Sequence, residues 1–296
     1  MIPPVEAPPP LDPVAREVPP AVLRLEGLEK VPLAGEGNFV WKVPLHDGHA
    51  VLKVYRGSRG WPLYVKKTIG NAITGRSSHM PGARWRTEVA CADLWSRHGF
   101  RCFRRIPQVT VEGLPREAYM VWEWTPGTHF RDHFQDGSIP LEERLATWRR
   151  WLPEWHRRHR LAVDLREPRL VHENGDVKHV MLWEGGFLYF DFEMTFRSRR
   201  VRFLVGREIA TYMRSVGRFF GEEMYQKMIH ELVAGYPDRA LLMAAWEHAW
   251  DDPNPAWRLL RLADRNLRPK HRGRWSKYRV GRDVRDLLDG AALNLR

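Results

Sequence analysis

The sequence predicts an α+β fold in two lobes, a small antiparallel β lobe followed by a larger helical one. Three observations carry that expectation. Between residues 21 and 55 apolar positions alternate with period two and are interrupted by glycine turns, the pattern of half-buried strands. Beyond residue 140 apolar positions recur at three- and four-residue steps in four separate stretches, the pattern of amphipathic helices. The strands precede most of the helices, which is the order of an α+β chain.

Residues 1–20 are proline-rich and polar and read as an extended lead-in. Residues 21–43, AVLRLEGLEKVPLAGEGNFVWKV, read as strand, glycine turn and strand, with Phe39, Trp41 and Val43 alternating. After the turn at His46-Asp47-Gly48-His49, residues 50–55 (AVLKVY) form a strand with Lys53 inside its apolar run. A basic, glycine-containing insertion at 56–84 has a short helix in its middle. Residues 84–97 form a helix with Trp85, Glu88, Ala92 and Trp95 on one stripe, stopped by His98-Gly99. Strands at 108–111 and 118–124, joined by the turn Glu112-Gly113-Leu114-Pro115, complete a first lobe at 21–125.

Pro126-Gly127 opens the second lobe, 126–252. Its helix at 141–159 places Leu145, Trp148, Leu152 and Trp155 at helical spacing, with a kink expected at Pro153. Residues 170–193 are a β-rich loop region, and 208–218, 222–234 and 239–250 read as three further helices. The breaker Asp252-Pro253-Asn254-Pro255 separates this lobe from a basic C-terminal segment, 253–296.

A chain of 296 residues, 43% hydrophobic with 14 Trp, has ample material for a core of this kind. No apolar run is long enough to cross a bilayer, and the first residues lack the basic start and apolar stretch of a secretory signal. Cys91 and Cys102 are the only cysteines, too few for a disulfide framework and not in C-x-x-C spacing, so a reducing, cytoplasmic compartment is expected. The net charge of +12 is concentrated. Residues 56–105 carry eleven Lys/Arg against two carboxylates, and 257–285 another eleven against two, so the remainder is net negative. Two such patches suit a phosphate-rich partner: nucleic acid, anionic lipid headgroups or a phosphorylated glycolipid. With Trp257 and Trp275 as interfacial anchors they suit peripheral docking on the inner membrane. The alternative is that both are solvated faces.

Several residue types then fall in an order that suggests phosphoryl transfer. Gly35 and Gly37 lie in a turn between strands, where backbone N–H groups can approach phosphate without obstruction by a Cβ, although an ordinary hairpin turn has the same composition. Lys53 needs a partner inside an apolar strand, and Glu88 on the next helix is the natural one. The hinge-like VWEWTPG follows at 121–127. Next comes VHENGDVKHVMLWEGGFLYFDFEMTF at 171–196, a polar loop followed by a strand that carries Asp191.

This order resembles the protein-kinase-like fold over residues 30–250. The resemblance implies ATP as substrate and Mg²⁺ as cofactor. Gly35 and Gly37 would then lie in the phosphate loop, and Lys53 would contact the α- and β-phosphates while Glu88 orients it. Glu123 and Trp124 would line the adenine pocket through their backbone, and Asp191 would hold Mg²⁺. Within the fold, 172–179 (HENGDVKH) is similar to the H-x-D-x-x-x-x-[N/H] loop of bacterial lipopolysaccharide-core kinases, which phosphorylate heptose or Kdo sugars. That likeness implies an ATP-dependent phosphotransferase acting on an anionic glycolipid, with His172 and Asn174 in the catalytic loop and His179 as the second metal ligand. The FDFE strand and REIATYMRS at 207–215 look like the same group.

There are departures. Val40 replaces the third glycine, and the base position holds Asn174, which cannot accept a proton. A second register takes Asp176-Val177-Lys178 as the D-x-K of serine/threonine kinases, with Asp176 as base and Met181 in the metal slot. Spacing favours the first register, since Asp191 follows His179 by twelve residues and Met181 by ten. We therefore keep His179 as ligand and Asp176 as a base reaching in from two residues along. A kinase-shaped binding protein that has lost catalysis is the alternative. A nucleic-acid-binding protein is the more remote one, because no nucleic-acid motif accompanies the basic patches. His129 and His133 are at one-face metal spacing but read as surface histidines. His156 and His159 read as cations at a helix C-terminal end, and the tryptophan-rich helices as core.

Overall fold

A computed structural model describes residues 19–34, 38–46, 48–55, 60–251, 258 and 274–293. In the first lobe β2 (Val31–Ala34), β3 (Phe39–Leu45), β4 (Gly48–Val54) and β7 (Tyr119–Glu123) form an antiparallel sheet in the order β2-β3-β4-β7. Beside it β1 (Ala21–Leu23) pairs in parallel with β6 (Val109–Val111). Strand alternation divides β4 between two faces. Ala50, Leu52 and Val54 join Val43, Val109, Val111 and Val121 in a small core, while Lys53 points the other way. That second face is covered by α2 (Pro81–Arg97).

Helix α2 starts with proline in its first turn, where the missing N–H costs nothing. It ends at His98-Gly99 as the sequence predicts. Gly99 N–H donates to the Ser96 carbonyl and Phe100 N–H to the Trp95 carbonyl, with the Phe100 and Trp95 rings 5.9 Å apart. This stop fixes the register in which Arg84, Glu88, Cys91 and Trp95 face inward. The short helix expected in the insertion is a full one, α1 (Gly60–Ile73).

In the second lobe β9 (Val180–Trp183) and β10 (Gly186–Tyr189) form a hairpin. It is flanked by β8 (Thr128–His129) and, in parallel, by β5 (Arg101–Cys102) from the first lobe. After α3 (Phe130–Gln135) comes α4 (Leu141–Asp164), whose Trp148, Trp151 and Trp155 are fully buried. Helix α4 runs through Pro153 for three more turns, so the proline does not end it. α5 (Val201–Gly235) contains two of the expected helices, joined at Gly221, whose φ of 82° is open to glycine at no steric cost. α6 (Arg239–Ala249) and α7 (Lys277–Leu293) pack on it. No helix among the described residues is long and apolar enough to cross a membrane.

Three expectations about individual residues change. Trp275 is not an interfacial anchor, because its ring packs over Gly217 and against Tyr225. The arginines near it are neutralised internally, Arg274 and Arg279 by Glu222, and Arg279 also by Asp283. Trp257 lies outside the described residues. His133 is buried against Thr147 Oγ1 rather than exposed, and His159 is fully enclosed, with Nδ1 2.9 Å from the Tyr236 hydroxyl.

Candidate active site

The two lobes meet around Lys53. Its Nζ donates to Glu88 Oε1 and Oε2 at 2.9 and 2.7 Å and to Asp191 Oδ1 at 3.2 Å, and it lies 2.8 Å from Glu193 Oε1. Glu88 also accepts from the Tyr55 hydroxyl at 2.5 Å. Glu193 is held in turn by the Arg84 guanidinium, with Nε at 2.9 Å, and by the Asn38 amide. Arg84 and Glu88 are one helical turn apart on α2, so a single helix face brings both groups to the cluster.

With all of these groups ionised, three carboxylates face two cations. Burial acts to lower the Lys53 ammonium, but Glu193, Glu88 and Asp191 reverse that and hold it well above its usual value. Burial works against the charge of Asp191, yet the Lys53 ammonium beside it holds its carboxyl well below the usual carboxylate range. Glu88, the most enclosed of the three, is pushed up to about 7 by burial.

Asp191 has φ 69°, a left-handed conformation uncommon outside glycine, though aspartate enters it more readily than most residues. Contacts on every side hold it there. The His172 ring lies with Nε2 3.3 Å from the Asp191 carbonyl and Nδ1 3.4 Å from the Tyr212 hydroxyl. Both contacts are satisfied by the neutral ring with its proton on Nε2, and burial lowers His172 to about 4. Asp191 Oδ2 accepts from Asn174 Nδ2 at 3.1 Å and lies 3.2 Å from His179 Nε2. His179 Nδ1 is 2.8 Å from the Asn174 carbonyl, an acceptor only, so Nδ1 donates there and Nε2 is the nitrogen that faces the carboxylate.

The loop carrying these groups is anchored from below. Glu208 on α5 accepts from His172 N–H at 2.7 Å, from Arg158 Nη1 at 3.0 Å and from Trp155 Nε1 at 3.0 Å, all fully buried. Gly175 closes the turn where a Cβ would stand 2.7 Å from the Tyr212 ring, so only glycine lets the loop lie this close to α5.

The structure thus brings Lys53, Glu88, His172, Asn174, His179 and Asp191 together. Asp176 is turned elsewhere: one carboxylate oxygen caps the following turn at Lys178 N–H, and the other lies 3.4 Å from Arg218. Glu123 and Trp124 lie at the end of β7, three residues along the sheet from the Lys53 register, about 10 Å. The Glu123 N–H is taken up by the Arg104 carbonyl and its side chain by the Arg104 guanidinium, and Lys42 lies over the Trp124 ring. Gly35 and Gly37 lie outside the described residues. Glu193, Arg84 and Glu208 were not singled out by the sequence. For Glu193 a signal existed in the fourth residue of FDFE, but nothing local marked its partners.

The donor set fits a hard divalent cation shared by Asp191 Oδ2 and His179 Nε2, a carboxylate oxygen and an imidazole nitrogen 3.2 Å apart, the spacing of two neighbouring ligands of one ion. Among the described residues no group of three or more His, Cys, Asp or Glu side chains is placed to hold a metal. Arg84 Nη1 is buried with no hydrogen-bond partner among the described residues. A cavity of about 710 Å³ has a separate lining that includes Arg166, Arg199, Phe203 and Glu247.

No family model and no curated protein matches the chain. Solved structures similar to it include WaaP in complex with acyl carrier protein (13% identity, 88% of this chain and 90% of that one, TM-score 0.38). A choline/ethanolamine kinase family protein from Mesorhizobium loti is 13% identical, over 87% and 92% of the two chains, with TM-score 0.35. The PknI kinase domain of Mycobacterium tuberculosis is 14% identical, over 88% and 96%, with TM-score 0.39.

Proposed function

We propose that the chain is an ATP-dependent phosphotransferase of the kinase type that moves a γ-phosphoryl group to a sugar hydroxyl of an anionic glycolipid. The observation that carries this reading is the convergence of Lys53, Glu88, Asn174, His179 and Asp191 on one point between the lobes. Lys53, clamped by Glu88, binds the α- and β-phosphates of ATP, with Gly35 and Gly37 in the phosphate loop. Asp191 and His179 hold Mg²⁺, which when bound neutralises charge on the transferring phosphate. Asn174 presents its amide toward the reacting group and orients the acceptor hydroxyl. Asp176, bonded to Lys178 N–H and Arg218, keeps the base role only if that pairing opens. Positioning and electrostatics supply most of the catalysis in phosphoryl transfer, so a missing base slows the reaction without abolishing it. The glycolipid acceptor is supported by the likeness of 172–179 to lipopolysaccharide-kinase loops, with His179 in the final position.

The test is transfer of radiolabelled phosphate from Mg-ATP to lipid-linked heptose or Kdo acceptors by the purified chain. Activity that survives Asp191→Ala unchanged would sink the mechanism.

A second reading is favoured by one observation: the base position is occupied by an amide that donates to Asp191. In that reading the chain is a kinase-shaped binding protein. Thermal stabilisation by Mg-ATP without transfer to any acceptor selects it over the first.

A further inference from the structure

Helix α1 has two unlike faces. Inward, Tyr64 is buried beside His79, Thr68 accepts from His79 N–H, and Asn71 donates to the Ser77 carbonyl. Outward, Trp61, Val65, Ile69 and Ile73 repeat at steps of four, 66, 40, 57 and 73% exposed. Steps of four place them on one ridge about 18 Å long. Four large apolar side chains in line on solvent are a patch with an occupant, not scattered surface hydrophobes. The charge beside the ridge says which occupant. Lys66, exposed next to Val65, flanks the ridge, and no Asp or Glu occurs anywhere in residues 48–87.

We infer that the outer face of α1 seats the protein on an anionic lipid bilayer, with the apolar ridge in the interface and Lys66 at headgroup level. A helix of this kind lies in the membrane plane, with tryptophan and aliphatic residues inward and lysine toward anionic lipid. A second copy of the chain fits the face poorly, because it would oppose lysine to lysine with no carboxylate from residues 48–87 between them.

The inner face of α1 ties this surface to the chemistry, a step that rests on the phosphotransfer reading. The turn after α1 pairs with the segment following Asp191: Ser77 N–H donates to the Thr195 carbonyl and Arg197 N–H to the Gly75 carbonyl. Arg76 also pairs with Glu173 of the loop that carries Asn174. A helix seated on lipid therefore holds the loop and the metal carboxylate at the surface where a glycolipid headgroup is displayed.

The experiment is co-sedimentation of the full chain with phosphatidylcholine vesicles, with and without phosphatidylglycerol, in the absence of nucleotide. Binding to the anionic vesicles is expected to exceed binding to the neutral ones by about tenfold or more. Ile69→Glu with Ile73→Glu, both at exposed positions, should lower it by about tenfold at unchanged melting temperature. Replacing Lys66 by Gln should cut the anionic preference by about fivefold. Absence of vesicle binding, or equal binding by the double glutamate variant, overturns the inference. So does a wild-type dimer that this variant converts to monomer in sedimentation velocity. Because the assay contains no ATP, its failure leaves the phosphotransfer reading standing, and an inactive enzyme that still binds vesicles leaves this one standing.

Discussion

His179 Nε2 lies 3.2 Å from Asp191 Oδ2, while Nδ1 of the same ring is fixed 2.8 Å from the Asn174 carbonyl. One nitrogen is committed to the backbone and the other is aimed at a carboxylate, so the ring is oriented before any cation arrives. An imidazole nitrogen is a better donor to Mn²⁺ than to Mg²⁺. The wild type should therefore be stabilised at lower Mn²⁺ than Mg²⁺ in a thermal-shift titration with ATP. His179→Ala should raise the metal needed by about 10–100-fold and narrow the Mn²⁺ advantage. An unchanged metal titration would exclude His179 as a ligand.

Arg84 and Glu193 make the second test. Glu193 is clamped by Arg84, Asn38 and Lys53, and the whole cluster is enclosed. Removing one member of a buried ion pair costs about 3–5 kcal/mol, because the partner is left charged and dry, whereas replacing both is far milder. Arg84→Met should therefore lower unfolding free energy by about 3 kcal/mol in urea denaturation. Arg84→Met combined with Glu193→Leu should recover most of the loss. Additive losses would show that the two side chains do not act as a pair.

The contrast between Lys53 and Glu193 explains what was legible in the sequence. Lys53 announced itself locally, as a charge inside an alternating apolar strand, and Glu88 by its place on the stripe of the next helix. The same holds for the tryptophans of α4, whose spacing alone placed them in the core. Glu193 pairs with Arg84, 109 positions away, and Glu208 with Arg158, 50 positions away. No local pattern records such partners. At the basic C-terminal stretch, likewise, a count of arginines does not reveal that Glu222, some fifty positions earlier, stands beside Arg274 and Arg279. His159 was read as a helix-end cation because the sequence around it is rich in arginine, yet α4 continues past it and Tyr236 closes over it.

Two buried histidines set the acid limb of stability. Burial lowers both His159 and His172 to about 4, against about 6.5 in an unfolded chain. Between those values the unfolded state binds the extra protons, so stability falls as pH drops from about 6.5 toward 4, by up to about 1.4 kcal/mol per pH unit for each ring. Glu88, raised to about 7, acts in the opposite sense: below pH 7 the folded state takes up its proton first. The histidine part is therefore read as a difference. His159→Gln should flatten the fall relative to wild type in urea midpoints collected across pH 4–7. Parallel curves would mean that His159 is already charged in the fold.

The remaining question is what Asn174→Asp does. In the wild type the Asn174 amide donates to Asp191 Oδ2 at 3.1 Å. Aspartate in its place turns that donor into an acceptor and sets two carboxylates about 3 Å apart, which only a proton or a cation can bridge. Without metal the variant should lose about 1–2 kcal/mol of stability, and Mg²⁺ or Mn²⁺ should restore more than that loss. The effect on transfer separates the two functional readings. If the acceptor hydroxyl gives up its proton in the transition state, a carboxylate here should raise the rate by about 10²-fold or more. A working phosphotransferase with Asn174 as an orienting group should therefore become faster, with a new acid limb in its pH–rate profile. A kinase-shaped binding protein should gain metal affinity and no turnover with any acceptor. A variant that is slower than wild type, while binding metal and ATP normally, would show that the Asn174 amide is itself needed to hold Asp191 in its left-handed conformation.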